Sequence, residues 1–341
     1  MDGVMGDVLG PRSPLPAAPL PGAPDLGELG PAVLGTMTFG EQTDEAAAAR
    51  MVGVAREAGV RMFDTANSYV DGRSEEILGR IVASFRDEVL IATKVGNLGP
   101  KGEVDPIGQL APDAIRAEVE GSLRRLGTDR IDLYYLHRPD WRTPIEETLG
   151  ACEELVREGK LRAIGHSNFA AWQALEMLAI AQREGWSPAV HAQPMYNAIT
   201  RRLDEEYRSF SLRYGMRNIV FNPLAGGLLT GKHTFDAGPA EGTRFGLRSS
   251  YQKRYWAPEY FDAVESLRSI AADAGLSLVE LVLRWLDAQP LVHRVLLGAS
   301  KVEHLEANLR ALDGPPPDAA TSARVDEVWK GLRGAAPAYN K

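Results

Sequence analysis

The stretches Val60-Arg-Met-Phe-Asp64, Val89-Leu-Ile-Ala-Thr-Lys94 and Ile131-Asp-Leu-Tyr-Tyr-Leu-His137 decide the fold. Each is a short apolar run bounded by polar residues and followed by loop material, the pattern of a strand buried on both faces within a parallel sheet. Each also ends on a charged or titratable side chain. In a barrel of parallel strands the reactive groups occupy strand ends and loops at the C-terminal mouth, so Asp64, Lys94 and His137 are expected to meet there.

Working outward, further strand-like runs near 32 to 35, 161 to 165, 189 to 192, 218 to 222 and 293 to 297 bring the number to eight. Helical patterns separate them, such as those beginning at Thr43, Ala111 and Pro144, with proline or acidic residues near their starts. Alternating strands and helices imply a parallel sheet, and eight such units match a closed (β/α)8 TIM barrel of the α/β class. No G-x-G-x-x-G follows the first run, so the phosphate-binding fingerprint of a doubly wound dinucleotide fold is missing. The barrel is expected over residues 29–341, with a long loop after the seventh strand, roughly Gly231 to Ala257, and an extra C-terminal helix. Residues 1–28 are rich in Pro and Gly and lack the basic start and apolar centre of a signal peptide, which predicts a disordered or loosely packed extension.

Composition narrows the function classes. Against 38 Lys and Arg stand 46 Asp and Glu, a formal net charge of −8 that argues against general binding to nucleic acid or to an anionic membrane surface. No apolar stretch approaches the ~20 residues of a membrane span, so a soluble protein is expected. Cys152 is the single cysteine, lies in an amphipathic helical pattern and reads as a packed thiol, in keeping with a reducing cytoplasm. Neither H-E-x-x-H nor paired cysteine spacing is present, and no metal site is expected.

Tyr69 follows the second run by five residues. A phenol with a pKa near ~10 is a weak proton donor at neutral pH, and a neighbouring ammonium, here Lys94, is expected to lower it. Asp64 would keep that lysine charged inside the mouth, and a neutral His137 can orient a carbonyl oxygen against the phenol. Singly, each has a plain structural reading: a solvated strand-end lysine, a core histidine, a loop tyrosine, a capping aspartate. Together they point to carbonyl reduction with hydride supplied from elsewhere; a Schiff-base barrel aldolase using Lys94 is the other enzymatic reading.

Several motifs carry a resemblance. Phe63-Asp-Thr-Ala-Asn-Ser-Tyr69, Thr93-Lys94, Tyr135-Leu-His137, Gly165-His-Ser-Asn-Phe169 and Gln193-Pro-Met-Tyr-Asn197 resemble the successive signatures of the aldo-keto reductases, from Gly35 to about Asn308. Asn222-Pro-Leu-Ala-Gly-Gly-Leu-Leu-Thr-Gly-Lys232 and Tyr251-Gln-Lys-Arg-Tyr-Trp256 are similar to the aflatoxin-aldehyde and succinic-semialdehyde reductase branch. The resemblance implies an NADPH-dependent aldehyde reductase with Tyr69 as general acid, Asp64 and Lys94 as its tuning pair and His137 as the orienting group.

It further implies that Ser167, Asn168 and Gln193 hold the nicotinamide carboxamide, that Phe221 stacks on the ring, and that Gly35, Thr36, Met37 and Asp64 line its site. Barrel enzymes bind phosphate at the loops after strands seven and eight, here Asn222, Pro223, Leu224, Gly226 and Lys232 on one side and Ser300, Lys301, His304 and Asn308 on the other, with Arg244 a further cofactor contact. Small residues there allow close backbone approach, and a helix start near Ser300 favours an anion; Ser300 with Lys301 would take a 2′-phosphate. Met37, Tyr69, His137, Arg138, Arg254 and Trp256 are the substrate candidates, with Tyr196 as a further apolar contact and a cationic rim suited to a carboxylate-bearing aldehyde. The branch implies a homodimer; its usual terminal Arg is Lys341 here. His191 is expected in the core, His233 and His293 at the surface. The same fold also serves as a cofactor-binding, redox-sensing subunit of potassium channels, which is the non-enzymatic alternative.

Overall fold

The computed structural model describes residues 22–97 and 108–335. Eight parallel strands close into one barrel in sequence order: β1 (Val33–Gly35), β2 (Met62–Asp64), β3 (Leu90–Val95), β4 (Leu133–Leu136), β5 (Ile164–Ser167), β6 (His191–Gln193), β7 (Arg217–Val220) and β8 (Arg294–Gly298). The expected (β/α)8 TIM barrel is therefore what the chain forms. Register fixes which ends meet: Gly35 pairs with Asp64 on one side and Gly298 on the other, and Lys94 pairs with Tyr135.

Side chains alternate across each strand. Val33, Met62, Leu90, Ala92, Leu133, Tyr135, Ala163 and Ile219 fill the barrel interior as one buried cluster. Two residues beyond Met62, Ala92 and Tyr135 on the same faces stand Asp64, Lys94 and His137. The period of two thus delivers the apolar plug and the polar mouth from the same strands. Leu26 and Leu29 join the plug from below, so the part of the expected loose extension that lies in 22–28 helps close the barrel floor; residues 1–21 lie outside the described residues, as does Lys341.

The helices begin where local chemistry says they should. Asp44 caps Glu45–Glu57, its side chain accepting from the Ala47 amide at 2.8 Å. Pro112 opens Pro112–Leu126, whereas Pro144 stands one residue outside Ile145–Arg157. The long connection after β7 holds two short helices, Arg244–Leu247 and Ser249–Tyr255, before Pro258–Asp273, and the extra C-terminal helix is Ala319–Arg333. No helix among the described residues is long and apolar enough to cross a membrane.

Candidate active site

Asp64 closes β2 and Lys94 lies next to last in β3; both are buried, and the lysine Nζ donates to Asp64 Oδ1. The same Nζ donates to the Thr65 carbonyl at 2.7 Å and meets the Tyr69 hydroxyl at 3.4 Å. Gln193, at the end of β6, donates from Nε2 to Asp64 Oδ2 at 2.7 Å. The carboxylate is thereby bonded on both oxygens, which is what a charge so deep requires. His137 lies just past β4 and meets the Tyr69 ring edge-on, with centroids 6.0 Å apart. The structure brings all four expected catalytic side chains together.

The electrostatics correct one expectation. Burial pushes the Tyr69 phenol above its ordinary value, and the nearby Lys94 only partly opposes that. Desolvation works against the Lys94 ammonium too, but the charges of Asp64 and Tyr69 outweigh it and hold the lysine above its usual range. Tyr69 is thus a protonated donor well beyond neutral pH. His137 is held well below the ordinary histidine range, first by burial and then by Lys94 and Arg138, so its ring is neutral. Its Nδ1 is buried without a hydrogen-bond partner among the described residues.

The amide-binding candidates form a chain of bonds. Ser167 Oγ donates to the Gln193 carbonyl at 2.7 Å, and Asn168 Nδ2 donates to the His137 carbonyl at 2.9 Å and to Ser167 Oγ at 3.0 Å. Asn168 is in the left-handed region at φ 62°, a conformation asparagine tolerates, which turns its side chain back toward β4. Phe221, half-buried just past β7, bridges to Met195 through the backbone. Thr36 donates its hydroxyl to the Asp64 carbonyl at 3.1 Å, binding the β1 loop to β2.

On the opposite side of the mouth, backbone geometry does the work. Asn222, Ala225, Gly226 and Gly227 all have positive φ, and Asn222 Oδ1 accepts from the Gly226 amide at 2.7 Å. A Cβ on Gly226 would fall 2.6 Å from the Tyr251 ring, so that ring lies against the loop. Pro223 is buried and Leu224 half-buried beneath this turn. Lys232 and Lys301 are exposed; burial first, and then the charges of these two lysines, hold His304 on helix Val302–Leu312 below the ordinary histidine range. Ser300 precedes that helix, and Asn308 is buried on it. Successive left-handed amides, with cations that form no ion pair among the described residues, fit a phosphate-bearing group.

The substrate candidates divide. Arg138 directly follows His137; Met37 Sδ lies 3.7 Å from Arg244 Nη1; Arg244 and Arg254 stack on the Tyr251 ring at 5.3 and 5.4 Å. Trp256 packs at 5.1 Å against both Phe245 and Phe261. Tyr196 is no substrate contact: it is fully buried, stacked on Trp285, with its hydroxyl donating to Asp204 at 2.8 Å. His233, expected at the surface, is buried between Phe245 and Trp256, because the long loop has an aromatic core of its own; His191 is buried and His293 exposed, as expected. Sequence reasoning gave no role to Tyr251, whose ring lies against the loop after Asn222 and beneath the Arg244 and Arg254 guanidiniums. Cys152 is buried with its thiol pushed up to about 12, and no described cluster of His, Cys, Asp or Glu is arranged to hold a metal ion.

The sequence profile of the Aldo/keto reductase family matches residues 31–330. Aflatoxin B1 aldehyde reductase member 2 of Rattus norvegicus is 37% identical over 90% of this chain and 86% of its own length. Aldo-keto reductase family 7 member A3 of Homo sapiens is 34% identical over 90% of this chain and 96% of its own. A probable voltage-gated potassium channel subunit beta of Oryza sativa subsp. japonica is 34% identical over 82% and 86%. A family profile spanning nearly the whole barrel, and relatives aligned along almost their full length, leave one assignment: the chain belongs to the aldo/keto reductase family and is an oxidoreductase.

Proposed function

We propose that this protein reduces aldehydes to alcohols with NADPH, Tyr69 protonating the carbonyl oxygen as hydride arrives at carbon. The observation that carries this reading is the buried Asp64–Lys94 pair with the Tyr69 hydroxyl 3.4 Å from the ammonium and the neutral His137 ring edge-on to it. Reduced nicotinamide supplies the hydride when bound; Ser167, Asn168 and Gln193 would hold its carboxamide and Phe221 its face, while Lys232, Lys301 and the loops after β7 and β8 would take the phosphates.

The chain's own residues do the rest. A carbonyl oxygen between Tyr69 and His137 accepts from two neutral donors, and negative charge developing on it is stabilised by an ammonium that cannot leave, because Asp64 and the Thr65 carbonyl retain it. As Tyr69 gives up its proton, the phenolate forms beside Lys94, where opposite charge favours it. The raised lysine argues against the aldolase reading, which needs a neutral amine. The identity of the relatives supports aldehydes over other carbonyls, and Arg138 and Arg254 support one carrying a carboxylate.

The test is NADPH oxidation with 4-nitrobenzaldehyde and succinic semialdehyde by wild type and Tyr69→Phe. Loss of turnover with retained NADPH binding is expected; full activity in the variant removes Tyr69 from its role. The similarity to the rice channel subunit favours a second reading, a cofactor-binding regulatory subunit. It predicts tight NADPH binding, negligible turnover in the wild type and a membrane protein that co-purifies.

A further inference from the structure

Tyr69 is followed by three residues in the left-handed region: Val70 at φ 50°, Asp71 at φ 54° and Gly72 at φ 87°. Glycine adopts this region freely. A β-branched valine does not, and holds it only where the surroundings over-determine the backbone. What over-determines it is the first turn of helix Arg73–Val82, where Ser74 and Glu75 are completely buried. Ser74 Oγ donates to the Thr36 carbonyl at 2.8 Å, tying the turn to the end of β1. Glu75 accepts from the Thr93 hydroxyl at 2.5 Å and from Arg125 Nε at 2.6 Å.

Two details make this pair more than packing. Thr93 is the β3 residue next to Lys94, so the carboxylate of Glu75 is bonded to the strand that carries the ammonium. Arg125 runs across the strained turn itself: a Cβ on Gly72 would fall 2.6 Å from Arg125 Cδ and 2.9 Å from its Nε. The Tyr69 hydroxyl, meanwhile, meets Lys94 at 3.4 Å, a long contact that does little to fix the ring. Glu75 is fully buried and Arg125 half-buried, and an ion pair so placed is weak grounds for stability, since apolar replacements often serve as well. What this one supplies is geometry.

We propose that the Glu75–Arg125 ion pair is a positioning device for Tyr69, clamping the turn Val70–Gly72 between β3 and helix Pro112–Leu126 so that the phenol stays in register with Lys94. The assignment rests on Tyr69 being the proton donor. Glu75 and Arg125 touch neither substrate nor cofactor in this scheme; they act through the backbone after residue 69. Reactions that depend on orientation lose about 100-fold for a displacement near ~1 Å, so relaxing the turn reads out in turnover before it reads out in binding.

The experiment compares the full-length chain with the double variant Glu75→Gln/Arg125→Met, which removes both charges without leaving either one buried alone. Cooperative melting, an NADPH dissociation constant and aldehyde KM within about threefold of wild type, and a kcat lower by about tenfold or more are expected. Adding Val70→Asn, which accepts the left-handed region readily, restores a third or so of the lost turnover. A kcat within about twofold of wild type overturns the proposal; so does a loss that Val70→Asn leaves untouched, or one matched by an equal loss of NADPH affinity. Should the double variant fail to fold, Thr93→Val removes one bond to Glu75 and carries the same test, with a smaller fall in kcat and the same recovery. Tyr69→Phe, run alongside, separates the two layers: an inactive Tyr69→Phe with a fully active double variant sinks the positioning role alone, whereas an active Tyr69→Phe sinks both.

Discussion

On the β2–β4 side of the mouth the charged groups answer one another: Asp64 is bonded by Lys94 and Gln193, Glu75 by Thr93 and Arg125. On the β7–β8 side the turn after Asn222 presents successive left-handed amides, and Lys232 and Lys301 stand exposed without an ion pair among the described residues. The first side is paired within itself, the second open and cationic. A proton donor needs fixed neighbours of known charge, since a mobile counter-ion would shift its affinity for the proton from moment to moment. A site for a polyphosphate needs the reverse: positive groups whose only good partner is the incoming ligand, so that binding is not opposed by a pre-existing pair.

The largest expected break in that contrast is Lys94→Met. It removes the charge that stabilises a Tyr69 phenolate, and general acid–base groups of this kind contribute about 10³-fold to rate. It also leaves Asp64 buried with Gln193 as its remaining side-chain donor, which costs roughly 3 to 5 kcal/mol of stability when one partner of a buried pair is deleted. Single-turnover reduction and thermal melting check the two halves of the prediction. A variant that melts as wild type does and turns over normally would mean the pair is ornamental.

How much of this was legible beforehand follows from the same division. The strand ends were readable because a parallel strand leaves an apolar run followed by its functional residue, and Asp64, Lys94 and His137 obey that grammar. The sign of the Tyr69 shift was not readable: Lys94 was visible in the sequence, but the burial that outweighs it belongs to the folded mouth. Glu75 received no reading from the sequence, since nothing local says that Thr93 and Arg125 converge on it from other elements. His233 was misplaced for a similar reason, since its aromatic neighbours Phe245 and Trp256 lie far along a loop whose own core has no periodic signature.

Acid sharpens the contrast with a smaller effect. Burial holds His166 down at about 4 and, with Arg217 nearby, His191 at about 3, while His137 is also depressed. These rings are neutral in the folded protein and take up protons more readily once it unfolds. Their stabilising contribution is therefore present above the unfolded value near ~6.5 and is lost as pH falls from there through about 4, by roughly 3 kcal/mol for His166 alone. Melting temperature measured across that range should fall, and His166→Leu should remove part of the slope. The rate of aldehyde reduction should show no limb from Tyr69 near neutrality, because burial has moved the phenol up rather than down.

The smallest expected effect tests the open side. Lys232 lies just past the turn Ala225–Thr230 that follows β7, and Lys301 directly precedes helix Val302–Leu312, on which His304 stands. If the two lysines divide the labour between the shared diphosphate and the extra 2′-phosphate, Lys232→Met weakens NADPH and NADH alike. Lys301→Met then weakens NADPH by about tenfold, or ~1.4 kcal/mol, and leaves NADH almost unchanged. Fluorescence titration of both cofactors against each variant reads this directly. Because exposed charges are screened, the Lys301→Met deficit should also shrink as salt is raised, whereas the Lys94→Met defect, set in a buried pair, should not. An equal loss of both cofactors in Lys301→Met would move the 2′-phosphate elsewhere on the β7–β8 side, and a salt-independent deficit would mean that this lysine is held as closely as the one across the mouth.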